Sequence, residues 1–122
     1  MALPFVLLVS LAVAQQAAAG GPQEIPVLKA AIGPCSADFT VTDADGKPVY
    51  LAMVHTKIRY GAMNVKRMDL EVSTNAEGKA RLESLPAKGK KVAYDVRHDA
   101  KKGTAAQDLA KTCHATLPVV IK

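Results

Sequence analysis

The chain has 122 residues, with 16 Lys and Arg against 11 Asp and Glu and a formal net charge of +5. That length holds one domain, which excludes a two-lobed enzyme and a polytopic membrane protein. Aromatics make up 4% and Trp is absent, yet Val, Leu and Ile are plentiful and the charge is modest, so the composition is not that of a disordered chain.

The chain opens on MALPFVLLVSLAVA, an apolar run of signal-peptide length. Ala17-Ala18-Ala19 before Gly20 fits an A-x-A cleavage pattern, and Ala12-Val13-Ala14 is a second candidate, so the mature chain is expected to begin near Gly20 or Gln15. No Lys or Arg precedes the apolar core. The run is shorter than the roughly 20 residues a membrane helix needs and ends in Gln15-Gln16. We therefore expect a signal peptide over 1–19, a secreted or periplasmic location, and no stable membrane span after cleavage. Residues 20–34, GGPQEIPVLKAAIGP, are rich in Gly and Pro, and read as a linker or a peripheral strand. The domain proper is expected over 35–122.

There Ser36–Thr42 alternates, with Phe39 and Val41 on one face, as in a half-buried strand. Asp43-Ala44-Asp45-Gly46 is a turn. Leu51–Tyr60 alternates again: Ala52, Val54, Ile58 and Tyr60 face one way, and Leu51, Met53, His55, Lys57 and Arg59 the other. Gly61–Asn64 connects it to Val65–Ser73, where Met68, Leu70 and Val72 alternate with Arg67, Asp69 and Glu71. Thr74–Gly78 is a turn, Ala80–Leu82 a short strand ended by Leu85-Pro86, and Val92, Tyr94 and Val96 mark the next strand. Thr104–Thr112 is rich in helix formers, with Thr104 and Gln107 at capping-box spacing; one or two helical turns and an extended crossing segment remain open. Cys113–Lys122 is the last strand, with Ala115, Leu117, Val119 and Ile121 on one side.

About seven short strands between turns predict an all-β fold, a small Ig-like Greek-key β-sandwich. Its expected core is Phe39, Val41, Val54, Ile58, Leu70, Val72, Leu82, Leu85, Tyr94, Val96, Leu117 and Val119. Cys35 and Cys113, an even pair in a small exported chain, are expected to form a disulfide closing a loop of 113 − 35 = 78 positions. Neither has a partner at C-x-x-C metal-site spacing.

The pieces VTDADGKPVYLAMV at 41–54, TNAEGKARLESLP at 74–86 and YDV at 94–96 resemble the carboxypeptidase regulatory-like, or transthyretin-like (prealbumin-type), β-sandwich family. That pattern runs D-x-x-G-x-P-V, A-x-V, T-[DN]-x-x-G, L-P, then Tyr-x-Val, and it covers about half the chain. The usual L-P-x-G-x-Y ending is here LPAKGKKVAY, with the Gly displaced and Lys added. The hydroxyisourate-hydrolase branch of the fold ends in Y-R-G-S, whereas this chain ends PVVIK. The resemblance implies architecture and accessory or binding roles, not an activity.

Candidate chemistry is sparse. His55, His98 and His114 are the only histidines. Their spacing matches no local ligand pair, so metal-handling or hydrolysis by them would need tertiary convergence. Asp43 and Asp45 lack the remaining ligands of a calcium loop. The basic residues are more pointed. Lys57, Arg59, Lys66 and Arg67 fall on two arms of one hairpin with no acid between 57 and 67, and Lys90, Lys91 and Arg97 lie in a second Lys-rich stretch. If they converge they form an anionic-ligand patch. Leu51 and Met53 are either covered by residues 20–34 or exposed to a partner. The expectation is a non-catalytic exported binding module without cofactor or metal. Its partner would be an unknown envelope protein or an anionic glycan. Nucleic acid is not expected, because stacking aromatics are scarce.

Overall fold

In the computed structural model, residues 24–87 and 91–122 are described. The expected signal peptide at 1–19, its cleavage sites, and Lys90 of the basic candidates lie outside those residues. Eight strands follow one another: β1 (Val27–Lys29), β2 (Cys35–Thr42), β3 (Met53–Tyr60), β4 (Lys66–Ser73), β5 (Lys79–Leu85), β6 (Lys91–His98), β7 (Lys101–Asp108) and β8 (His114–Val120). They form two four-stranded sheets, ordered β1-β5-β2-β8 and β4-β3-β6-β7, so the all-β sandwich is as the alternation predicts. Among the described residues, the sequential hairpins within a sheet are β3–β4 and β6–β7. The remaining connections cross between sheets or return along one.

The strand beyond the expected seven is β1. It lies parallel to β5, Val27 opposite Arg81 and Lys29 opposite Glu83, and Ala30 N–H donates to the Glu83 carbonyl at 2.8 Å. Leu28 and Ile32 pack against the core and Ala30 is buried, so Val27–Lys29 is a short peripheral strand of this sheet and the residues around it lie against the domain. The short strand expected at Ala80–Leu82 runs on to Leu85 because β5 has partners on both sides, β1 and β2.

Turn chemistry sets the frame. Gly46 and Gly78 both take positive φ, 84° and 77°, which only glycine adopts freely. The N–H groups of Asp45 and Lys47 donate to Asp43 Oδ1 at 2.9 and 3.0 Å, an Asx turn. Asn75 Oδ1 does the same for Glu77 and Lys79. The Lys47 backbone N–H holds the Asp43 carboxyl below its ordinary pKa. That carboxylate is therefore a turn brace.

Alternation delivers the core. Every residue expected in it is buried except Leu117, which is half-buried. The Phe39 and Tyr94 rings meet edge to face, centroids 4.8 Å apart, joining the two sheets at their centre. Residues 104–112 do not form a helix. β7 continues to Asp108, paired with β6 from His98↔Lys101 to Lys91↔Asp108, and a turn follows in which Thr112 N–H donates to the Asp108 carbonyl at 2.8 Å. Sheet pairing overrides the local helix propensity. Gln107, rather than capping a helix, is buried.

Cys35 and Cys113 are bonded. The disulfide joins the start of β2 to the residue before β8, and those strands run parallel from Ser36↔His114 to Thr42↔Val120.

Candidate functional site

Among the described residues, β3 and β6 pair at three positions, from Met53↔Arg97 to His55↔Asp95. Beyond His55 the ladder opens, and the Thr56 hydroxyl donates to the freed Ala93 carbonyl at 2.7 Å. The opening is a cleft of about 220 Å³ lined by Lys57, Ile58, Arg59, Pro86, Lys91, Val92 and Leu109. Ile58, Val92 and Leu109 are buried core residues, so the floor is apolar and three cations stand at its mouth.

The neighbouring strand adds charge. Arg59 is directly opposite Arg67 across the β3–β4 ladder, a like-charge pairing that costs stability. Lys57 faces Asp69 and Lys91 faces Asp108 in register. Both carboxylates have other contacts: Asp69 Oδ1 lies 3.7 Å from His55 Nε2, and Asp108 Oδ1 accepts the Ala110 N–H at 3.1 Å. Among the described residues, the ion pairs within 4.0 Å involve Arg81 with Asp38 and Glu83, His55 with Asp69, and His98 with Asp99. None takes in Lys57, Arg59, Lys66, Arg67 or Lys91.

The expected patch is therefore corrected in extent. Lys57, Arg59, Arg67 and Lys91 share one end of one sheet. Lys66 is opposite Tyr60, in the alternation that leads to Met68 and Leu70, and its stem lies along the turn at Gly61; it sits at the rim of the same end. Arg97 does not belong. It lies six positions along β6 from Lys91, about 20 Å at strand rise. There it lines a second groove of about 260 Å³ with Met53, His55, Glu71 and Asp95, whose two carboxylates make it a mixed-charge surface.

The tip of the same hairpin is apolar. Gly61 takes φ 83°, and Met63 lies in the left-handed region at φ 57°, which costs a non-glycine residue about 1 kcal/mol. Met63 is 91% exposed and Val65 72%. The strand alternation gives no sign of this, because Gly61–Asn64 reads only as a connection. Leu51 and Met53 are also exposed. The described part of the 20–34 segment lies along β5 in the other sheet and does not cover them.

The histidines do not converge. His55 is on the outer face of β3, opposite Asp95. His98 ends β6 on the opposite alternation, and His114 begins β8 in the other sheet. No group of three or more His, Cys, Asp or Glu is placed to hold a metal among the described residues. His114 Nδ1 instead lies 2.8 Å from Ser36 Oγ. This contact was legible only through the disulfide: Cys35-Ser36 and Cys113-His114 are matching dipeptides, and bonding the cysteines across parallel strands sets the next two residues side by side.

No protein-family model matches the chain, and no curated protein matches it. Solved structures similar to it include a catechol 1,2-dioxygenase from Pseudomonas arvilla C-1, with TM-score 0.50 and 12% identity over 80% of this chain and 58% of that one. A chlorocatechol 1,2-dioxygenase from Pseudomonas putida gives 0.49 and 14% over 81% and 67%. A mercury-inhibited catechol 1,2-dioxygenase from Acinetobacter sp. ADP1 gives 0.47 and 18% over 70% and 42%. This chain thus spans less than half of the last and little more than half of the first. At such identities the likeness is one of sandwich fold.

Proposed function

We propose that the protein is a non-catalytic, exported binding module that holds an anionic ligand, such as an acidic glycan, at the open end of β3 and β6. The observation that carries this reading is the cleft mouth: Lys57, Arg59 and Lys91 around an apolar floor, with none of the three in an ion pair among the described residues. Unpaired charges close together repel, and an arriving anion relieves that repulsion. Export is supported by the disulfide, which persists in oxidising compartments, and by the signal-like run at 1–19. Among the described residues no helix is long and apolar enough to cross a membrane. Membership of the carboxypeptidase regulatory-like family remains part of the proposal, supported by the turn motifs at Gly46 and Gly78.

The test is titration of the purified protein with a sulfated or uronic polysaccharide at several salt concentrations. Affinity should fall steeply with salt, and Arg59→Gln with Lys91→Gln should lose at least tenfold without lowering the thermal midpoint. Binding indifferent to both changes refutes the site.

Hydrolysis at His114 is a second reading with one observation behind it, the Ser36–His114 contact. Ser36 is only 4% exposed, which denies a substrate carbonyl access to its hydroxyl. A hydrolase screen in which Ser36→Ala abolishes activity would establish it.

A further inference from the structure

The cations of the proposed site flank a hairpin tip that has nothing anionic to bind and much apolar surface to cover. Met63 is 91% exposed and Val65 72%, two large apolar side chains that share one hairpin tip. Arg59 and Arg67 stand opposite one another just below them, and the stem of Lys66 runs along the turn at Gly61. The order outward from the sheet is thus a basic collar and then an apolar point, with no acid from residue 57 to residue 67.

We propose that the β3–β4 tip docks on an anionic lipid bilayer, with Met63 and Val65 entering the headgroup–acyl boundary and Arg59, Lys66 and Arg67 meeting lipid phosphates. This rests on the anionic-ligand reading and specifies its ligand. Charge complementarity and the apolar point select the bilayer together. A soluble polyanion has no apolar phase to receive Met63 and Val65, whereas a bilayer offers a charged layer outside and hydrocarbon a few ångströms in, the order that interfacial elements match. Each collar cation near an anionic surface strengthens binding roughly fivefold.

The chain contains no Trp, so a single introduced one reports its own position. Met63→Trp protein is mixed with vesicles of phosphatidylcholine alone, or of phosphatidylcholine with phosphatidylglycerol, each with and without brominated acyl chains. Blue-shifted emission and bromine quenching are expected only with the anionic vesicles. Adding Arg59→Gln and Arg67→Gln should weaken binding about 25-fold. Val120→Trp, an exposed position on the other sheet, should stay unquenched, which separates tip insertion from adsorption through any other part of the chain. Should Met63→Trp fail to fold by circular dichroism, Val65→Trp replaces it. Equal quenching at both reporters, or equal binding to neutral vesicles, overturns the proposal. Salt-sensitive binding of a soluble polysaccharide without tip quenching overturns lipid docking and leaves the anionic module standing. Binding to neither polysaccharide nor vesicle overturns both.

Discussion

Removing the Tyr94 hydroxyl should destabilise the domain through Gln107 rather than through lost packing. Tyr94 is fully buried and Gln107 nearly so. The phenol donates to Gln107 Oε1 at 2.7 Å, while Gln107 Nε2 donates to the carbonyls of Thr112 at 2.8 Å and Ser36 at 3.1 Å. One amide thus joins β6, the turn before β8 and the start of β2. Tyr94→Phe leaves Gln107 Oε1 buried without a donor, which costs about 1–3 kcal/mol. Gln107→Leu orphans the phenol and at least one carbonyl, and should cost about 2–4 kcal/mol on the same scale. In the double variant the orphaned phenol is gone, so the two losses should fall short of additivity by about 1 kcal/mol or more. Urea unfolding of the four proteins measures this, with the denaturant slope unchanged. Additive losses, or single losses below about 0.5 kcal/mol, refute the network. Burial also pushes the Tyr94 phenol above its ordinary value of 10.0. The folded state then keeps a proton that the unfolded state releases, so this contribution is full below pH 10.0 and declines as pH rises above it. The gap between the native protein and Tyr94→Phe should accordingly narrow in alkali.

Two further outcomes follow from the frame. Thiol titration of denatured exported protein should find no free cysteine, and Cys35→Ser with Cys113→Ser should cost up to about 4–5 kcal/mol for a loop of 78 positions; two free thiols would refute the pairing. Gly78→Ala should destabilise by more than about 2 kcal/mol, because a Cβ at φ 77° would run into the Val41 carbonyl oxygen. Gly46→Ala, at φ 84° with open space around it, should cost only about 1 kcal/mol, and equal losses at the two glycines would show the close approach is absent.

What the sequence disclosed is what period two and turn chemistry encode. Phe39, Val54, Tyr94 and Val119 declare their face by alternation, and Gly46 and Gly78 declare their turns by the φ that only glycine tolerates cheaply. β1 stayed an alternative to a linker because three residues carry no period; its existence depends on β5 offering a free edge. β7 stayed ambiguous because Ala105, Ala106 and Gln107 favour a helix locally, while the pairing with β6 that decides the matter is long-range. At the candidate site, alternation placed Lys57 and Arg59 on the outer face together. Arg97 shares that face, yet sharing a face says nothing about distance along a strand. The cleft itself depends on where the β3–β6 ladder stops, which no local pattern records. Pro86 and Leu109 reach it from loops of other strands for the same reason.

The Arg59–Arg67 pair is the feature that a purely structural account leaves unexplained. A sandwich selected for stability alone would put opposite charges across that ladder, as it does one step along at Lys57 and Asp69. The acids are available: Asp38 and Glu83 both go to Arg81, at 2.6 Å each, and raise its pKa further above its usual value. One sheet therefore neutralises its central arginine twice over, while the end of the other keeps two arginines facing each other beside Lys57, Lys91 and an exposed Met63. Repulsion at that end weakens as salt rises, so stability should increase with salt where ligand binding decreases. Substituting Arg67→Glu separates the two roles. It should stabilise the hairpin by a few tenths of a kcal/mol or more, through an opposite-charge cross-strand pair, and it should weaken anion binding at the same time. A variant that gains stability and binds polysaccharide or anionic vesicles as tightly as before would show that the repulsion serves no ligand.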